Sequence, residues 1–255
     1  MKVRENFEVP QKIIEQLKRR EFRPKSYTVS RLVVCPRKTL FKRTGVPEIV
    51  MDEQQLIFAR GHGHHGVLEV AYLKEVECKA MSEVKDMRGE LIPITGDIDM
   101  IGDRITEIFT TTISSSKVQT PEDAEKTFPS KVKQLTAYCH FRHEDEGDLL
   151  VFFLFGDYTR FETVHGEKKY VGIRPKLRDF TYSFDEEDKQ KIWKLMNTNI
   201  EDIEYATKTG QFTILGVGEK WECNNCGWNY KCYGDEPIEA RDTDKIISKA
   251  MSAID

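Results

Sequence analysis

Apolar residues recur at helical spacing, three and four positions apart, in five parts of the chain. The pattern predicts helices over residues 8–22, 30–41, 53–75, 130–141 and 185–207. Ser30 and Ser130 are good N-cap residues for the second and fourth of these helices. The third is interrupted by the glycine- and histidine-rich run from Gly61 to Gly66. Because glycine disfavours a helix interior, we expect the backbone there to bend or to approach another group closely.

Alternating apolar and polar residues predict strands within 76–95, a hairpin over 92–111, and a further strand around 168–183. The tight turn of the hairpin falls at Gly102 and Asp103. The run over 148–158 is apolar on both faces, which suits a central buried strand. The polar stretch from Thr112 to Pro129 predicts a loop between the hairpin and the fourth helix.

The hairpin carries two acids, Asp99 and Glu107, one on each side of its turn. If the two lie on neighbouring strands, their carboxylates come close together, and they then need a cation or a shared proton. Hard oxygen ligands favour Mg²⁺ or Mn²⁺. The alternative is a solvated hairpin whose acids face water.

The composition of the 255 residues limits the classes of protein that fit. With 39% hydrophobic residues the chain can form a core, and its net charge of −4 argues against a uniformly basic nucleic-acid coat but allows a local basic groove. No apolar run reaches 18 residues and the N-terminus lacks the apolar core of a secretory signal, so we expect no membrane span and no secretion. Six cysteines then indicate a reducing compartment, which predicts a cytoplasmic protein.

Three of the cysteines form a compact group near the C-terminus, namely Cys223, Cys226 and Cys232. A tetrahedral zinc site and a [4Fe–4S] cluster both use four ligands, and Cys35 is the attractive fourth. A metal held by all four would join the two ends of the fold and stabilise it by about 4–5 kcal/mol through loop entropy. Three inert core thiols are the minor alternative.

Several residues occur together in a specific order: Cys35 with Pro36 and Arg37; Gly61 to His65; Gly96 to Asp99; Glu107; Gln134 to Tyr138; and Cys223, Cys226 and Cys232. In that order they resemble the RecB-like exonucleases of the PD-(D/E)XK superfamily. In particular they resemble the CRISPR-associated Cas-four family, over nearly the full length of the chain.

The pattern of elements predicts an α/β fold. The resemblance implies a restriction-endonuclease-like mixed central sheet flanked by helices, with an iron–sulfur cluster region that joins the N- and C-terminal segments. We expect one RecB-like nuclease domain over 1–255. Its parts are a helical region with Cys35 and His65 over 26–75, a sheet core over 76–183, a C-terminal helix with the cysteine cluster over 184–235, and a polar tail over 236–255.

The resemblance also implies roles for the matching residues. His65, Asp99 and Glu107 would hold Mg²⁺ or Mn²⁺ with help from the backbone carbonyl of Ile108, and the imidazole would favour Mn²⁺. Gln134 and Tyr138 would orient the DNA backbone or a neighbouring ligand. A structural [4Fe–4S] cluster would be held by Cys35, Cys223, Cys226 and Cys232.

The activity implied is that of a metal-dependent DNA exonuclease. It would hydrolyse phosphodiester bonds in single-stranded DNA, or in DNA with single-stranded overhangs, and would process spacer precursors with the CRISPR integrase complex. A homo-oligomer is compatible with this activity.

One position departs from the superfamily pattern, which has a lysine two residues after the acid. Phe109 stands there instead. Either another cation reaches the same space, with Lys117 included in the predicted catalytic set and Arg60 or Lys131 as further options, or the protein is a catalytically weak or inactive iron–sulfur DNA-binding subunit of an integration complex. A group that stabilises the developing charge contributes about 3–4 kcal/mol to catalysis.

Two other classes of protein explain less of the sequence. A zinc-ribbon interaction protein would explain the cysteines but would leave His65, Asp99 and Glu107 without a role. A one-cluster electron carrier does not need an α/β core of this size.

Overall fold

A mixed six-stranded sheet forms the centre of the protein, with helices packed against it. The structure is a computed structural model and describes residues 26–49, 59, 63, 75–85, 91–157, 161–170, 172, 174–211, 218–224 and 226–233. The strands are β1 Tyr27–Thr28, β2 Glu75–Lys85, β3 Leu91–Ile101, β4 Ile105–Thr111, β5 Glu146–Phe153, β6 Phe161–Val164, β7 Glu167–Tyr170 and β8 Lys176–Ser183.

Seven α-helices and one short 3₁₀ helix, Ser115–Lys117, lie wholly within the described ranges. The helices are α1 Val29–Val34, α2 Pro36–Arg43, α3 Pro121–Thr127, α4 Pro129–Arg142, α5 Glu186–Thr209, α6 Lys220–Asn224 and α7 Asn229–Tyr233. Ala59 and Gly63 are also helical.

Strand β3 connects three other strands of the sheet, since it is hydrogen-bonded to β1, β2 and β4. It runs antiparallel to β2 and β4 and parallel to β1. Beyond β4 come β5, which is parallel to it, and β8, which is antiparallel to β5. Strands β6 and β7 form a separate two-stranded sheet. The predicted α/β class with a mixed central sheet and flanking helices is therefore confirmed.

The hairpin predicted over 92–111 is present as β3 and β4, with its turn at Gly102 and Asp103. Helix α5 is also close to its prediction, because Asp185 caps its first turn and Gly210 ends it with φ of 72°. The buried strand predicted over 148–158 is the inner strand β5, although it begins earlier, at Glu146, and ends at Phe153.

The helix predicted from Ser30 to Phe41 is wrong in its continuity and in its cap. It begins at Val29 with Thr28 at the N-cap, and it breaks at Cys35, whose φ of −152° and ψ of 89° are not helical. The cause is Pro36, because a proline disfavours helical geometry in the residue before it and is well tolerated at the start of a new helix. The break therefore sets Cys35 at a junction rather than within a helix.

The loop predicted between Thr112 and Pro129 is also wrong, since it contains the 3₁₀ helix and α3. The missed signal is a capping box, in which Thr120 accepts from the Asp123 amide and Asp123 accepts from the Thr120 amide. Helix α4 follows at once and begins at Pro129, so Ser130 lies inside its first turn and is not the N-cap.

Helix α4 packs against the sheet so closely that two glycines are required beneath it. A Cβ on Gly96 would lie 2.4 Å from Cε1 of Tyr138, and one on Gly147 would lie 2.8 Å from Cδ1 of Leu135. Tyr138 and Leu135 are fully buried in the core and cannot move aside.

Some predictions fall on residues outside the described ranges: the helix over 8–22, most of the helix over 53–75, and the tail over 236–255. Among the described helices, none combines the length and the apolar character needed to cross a membrane.

Gly96→Ala should destabilise the protein by about 1–3 kcal/mol, because the added methyl group overpacks the contact with Tyr138. The measurement is urea unfolding followed by circular dichroism. The control is Gly63→Ala, where a Cβ meets no atom within 4 Å in a helical backbone, and it should be neutral or stabilising. Equal stability of the two variants would contradict this packing.

Candidate functional site

Asp99 and Glu107 lie beside each other where the two strands of the hairpin begin to separate. The ladder between β3 and β4 pairs Ile101 with Ile105 and Met100 with Thr106, and one further step of the same register sets Asp99 opposite Glu107. There the Asp99 Oδ2 accepts the Ile108 amide at 2.7 Å. The Asp99 carboxylate thus reaches the backbone of the residue that follows Glu107 on the neighbouring strand.

Glu107 is buried in this position, with only 2% of its surface exposed. Lys131, in the first turn of α4, donates from Nζ to Glu107 Oε1 at 2.8 Å. Burial alone would lower the pKa of Lys131, but the attraction and hydrogen bond of Glu107, with a contribution from Asp99, raise that pKa above its ordinary value. The ammonium group therefore stays charged and offsets the buried carboxylate.

Phe109 lies next to this ion pair. Its ring centroid is 5.4 Å from Nζ of Lys131 and 4.8 Å from the ring of Phe128, which it meets edge-on. The residue that replaces the expected lysine of the superfamily pattern thus supports, with its ring, a lysine that comes from α4.

A buried chain of hydrogen bonds continues along the same face of α4. Gln134 Oε1 lies 3.5 Å from Lys131 Nζ, and Gln134 Nε2 donates to the Tyr138 hydroxyl at 2.9 Å. That hydroxyl donates in turn to the carbonyl oxygen of Asp97 at 3.0 Å. Burial, followed by the nearby Glu107 carboxylate, raises the pKa of Tyr138, so its hydroxyl remains a donor at neutral pH. The chain fixes α4 against β3.

The other predicted site residues are placed as follows. His65 and Arg60 lie outside the described residues. Lys117 is exposed at the end of the 3₁₀ helix, and the cation that pairs with Glu107 is Lys131, not Lys117. Lys131 shares a helical face with Gln134 and Tyr138, three and seven residues on. That spacing is a signal for Lys131 that the sequence contains, but it does not show which group the lysine contacts.

The four cysteines of the predicted cluster surround one small cavity. It is lined by Cys35, Lys38, Gly218, Glu222, Cys223, Cys226, Asn229 and Cys232. Cys35 comes from the break between α1 and α2, while the other three come from α6, α7 and the turn between them. The N- and C-terminal parts of the chain therefore meet at these thiols.

Hydrogen bonds hold the C-terminal segment against the chain that follows α2. The Trp228 indole N–H donates to the Val46 carbonyl at 2.9 Å, the Ile49 amide donates to the Gly227 carbonyl at 2.8 Å, and the Tyr230 hydroxyl donates to Pro47 at 2.8 Å. These contacts hold the segment with Cys226 and Cys232 beside the chain that follows α2.

The four thiols of this cavity are of the donor type that zinc sites and iron–sulfur clusters use. Burial raises the pKa of Cys226 to about 11 and also raises that of Cys232, and the neighbouring thiols add to both shifts. Such thiols hold their protons at neutral pH unless a bound cation replaces them. Arg37 and Lys38 stand close enough to offset the charge of thiolates. In the described part of the chain, no three His, Cys, Asp or Glu side chains stand in an arrangement that would itself hold a metal ion.

Two glutamates of the cysteine segment escaped the sequence analysis. Glu219 Oε1 accepts the Ser130 amide of α4 at 2.9 Å, and Glu222 lies 3.7 Å from Lys38 while lining the cavity. Glutamates in and beside a short charged helix have the sequence pattern of ordinary surface residues, so only the tertiary structure identifies them.

No family model matches this chain, and no curated protein matches it either. Among solved structures, the chain is similar to the crystal structure of the protein SSO0001, with a TM-score of 0.52 and 17% sequence identity. The match covers 90% of this chain and 96% of that one. At this identity the similarity shows the fold alone, a mixed α/β fold with a central sheet flanked by helices.

Lys131→Met should destabilise the protein by about 3 kcal/mol at neutral pH, because it leaves the buried Glu107 without the ammonium group. The full loss of stability should be seen below pH 10.5, the ordinary pKa of lysine. It should vanish as the pH rises through the higher pKa that Lys131 has in the folded state. Urea unfolding across this pH range measures it. Lys133→Met, at an exposed position of the same helix, is the control, and an equal loss in both variants would contradict the ion pair.

Proposed function

We propose that this protein is a divalent-metal-dependent deoxyribonuclease of the RecB-like type. The observation that carries the proposal is the cluster of Asp99, Glu107 and Lys131 at one buried point of a mixed sheet. Two carboxylates and a lysine are the groups that the PD-(D/E)XK pattern uses, although the lysine here comes from α4 and not from the strand that carries Glu107.

The carboxylates of Asp99 and Glu107 fit a hard divalent ion, and the Ile108 carbonyl follows Glu107 on the same strand. Mg²⁺ or Mn²⁺ would supply an activated water and would neutralise charge on the phosphate. His65, the third side chain of the proposed ligand set, would bring the preference for Mn²⁺.

Lys131 is the group proposed to stabilise the developing charge on the phosphate. Its side chain is 20% exposed, while that of Glu107 is only 2% exposed, so the ammonium stands between the buried acid and solvent. Because Lys131 lies beside Phe109, its ammonium group can act in the region that a lysine side chain at position 109 would reach. Gln134 and Tyr138 hold α4, and hence Lys131, in register with the sheet.

The proposed substrate is single-stranded DNA or DNA with single-stranded overhangs. Within the Cas-four family the corresponding role is to trim spacer precursors together with the CRISPR integrase complex, and we propose the same role here. Support comes from the order of the matching residues along the sequence and from the four cysteines around one cavity.

Nuclease activity should depend on Lys131, and a lysine introduced at position 109 should be able to replace it. With end-labelled single-stranded DNA and Mn²⁺, the wild type should cut, Asp99→Ala should not, and Lys131→Met should be slower by about 10²- to 10³-fold. Adding Phe109→Lys to Lys131→Met should restore much of the rate.

Lys133→Met is the matched control and should cut like the wild type. An inert wild type whose Phe109→Lys variant cuts would instead favour the second candidate, a DNA-binding subunit of an integration complex. The packing of Phe109 on Phe128 is the observation that speaks for this candidate.

The cysteine cavity is proposed to hold a [4Fe–4S] cluster. Protein purified without oxygen should be brown, should absorb near 400 nm and should contain about four irons per chain. Cys35→Ser should lose iron, whereas Cys139→Ser, at a buried thiol that does not line the cavity, should retain it. A colourless wild type with stoichiometric zinc would show a zinc site instead.

A further inference from the structure

Helix α4 carries the proposed catalytic lysine, yet its first turn has no cap of its own. The N-cap residue is Phe128, which provides no side-chain acceptor, and the first helical residue is Pro129, which has no N–H. The next amide, that of Ser130, is therefore the first donor at this end of the helix, and Lys131 follows it directly.

The acceptor for that amide comes from a distant part of the chain. Glu219 Oε1 lies 2.9 Å from the Ser130 nitrogen, across 89 residues of sequence. A carboxylate at the N-terminus of a helix satisfies an orphan donor and is favoured by the helix dipole. Glu219 thus does for α4 what Thr120 and Asp123 do locally for α3.

The backbone of Glu219 is bonded to a cysteine that lines the cavity. Its carbonyl accepts the Cys223 amide at 2.9 Å, and the preceding residue, Gly218, accepts from Cys223 Sγ at 3.4 Å. Gly218 is also so close to Cys35 that an added Cβ would lie 3.4 Å from the cysteine Cβ. Any rearrangement of the thiols therefore moves the residue that caps α4.

A second connection runs parallel to the first. Glu222 lines the cavity and lies 3.7 Å from Lys38, and its carboxylate is near enough to Lys131 to act on that charge. The same short segment thus carries two carboxylates: that of Glu219 accepts a backbone amide of α4, and that of Glu222 helps to raise the pKa of Lys131.

We propose that Glu219 is a positioning residue that couples the cysteine cavity to the catalytic helix, so that an assembled thiol centre sets the first turn of α4 and places Lys131 on Glu107. The inference deepens the proposed function and rests on it for the role of Lys131. It assigns the cysteine centre a part in regulating catalysis: loss of its metal would loosen α4 before the fold itself is lost.

The test compares Glu219→Ala, Glu219→Gln and Cys223→Ser with the wild type by amide hydrogen exchange of residues 130–138. Glu219→Ala should speed exchange there about fivefold, the factor expected for loss of one helix cap, and should lower kcat with little change in KM for DNA. Glu219→Gln keeps a carbonyl acceptor and should restore most of the slow amide exchange and most of kcat. Glu201→Ala, at an exposed site on α5, is the control and should match the wild type.

Cys223→Ser should speed exchange in the same nine residues, and Glu219→Ala combined with it should add little, because both act through one contact. Iron or zinc content is measured in every sample, and Glu219→Ala should retain its metal. The coupling would be overturned if Glu219→Ala left amide exchange over 130–138 unchanged. It would also be overturned if the effects of Glu219→Ala and Cys223→Ser on that exchange simply added.

Exchange and metal content do not depend on catalysis. If the wild type is inert yet the exchange pattern is as expected, the coupling stands and the nuclease proposal fails. If the wild type cuts but Glu219→Ala exchanges and cuts like it, the coupling fails alone. If Glu219→Ala does not fold, Cys223→Ser, which keeps Glu219, still tests the coupling through the amide exchange of residues 130–138.

Discussion

A carboxylate buried in a sheet is costly unless a positive charge accompanies it, and Glu107 is such a carboxylate. Much of the architecture around it serves this requirement. The packing of α4 over Gly96 brings the Lys131 ammonium group to within 2.8 Å of Glu107, while the separating hairpin places a second carboxylate, that of Asp99, nearby. A site that concentrates negative charge and places one lysine beside it is well suited to a divalent ion and a phosphate.

The second constraint is the meeting of the two ends of the chain at the cysteines. Trp228, Tyr230 and the Ile49 amide tie the C-terminal segment to the chain after α2, and Glu219 ties the same segment to α4. The thiol cavity and the acidic site are therefore parts of one arrangement, joined through the first turn of a single helix. Through this arrangement, the proposed thiol centre would affect the proposed nuclease site without taking part in its chemistry.

Local patterns were sufficient for the hairpin, for β5 and for α5, because their alternation, apolar run and caps are encoded within each segment. The same local logic failed at Cys35, where Pro36 overrides the helical periodicity, and at α3, whose capping box was read as loop. The sequence analysis placed Lys117 in the catalytic set and Lys131 among further options, because only the packing of α4 on the sheet shows which lysine reaches Glu107. Glu219 had no local signal at all, because its partner lies 89 residues away.

The most direct test of the account is the anomalous scattering of manganese from crystals grown with saturating Mn²⁺. A manganese ion should be bound in contact with the carboxylates of Asp99 and Glu107, with Lys131 still beside Glu107. A structure in which no manganese contacts these two carboxylates, and in which Lys131 alone neutralises Glu107, would contradict it. In that case the ion pair would be a structural element of a DNA-binding or interaction protein.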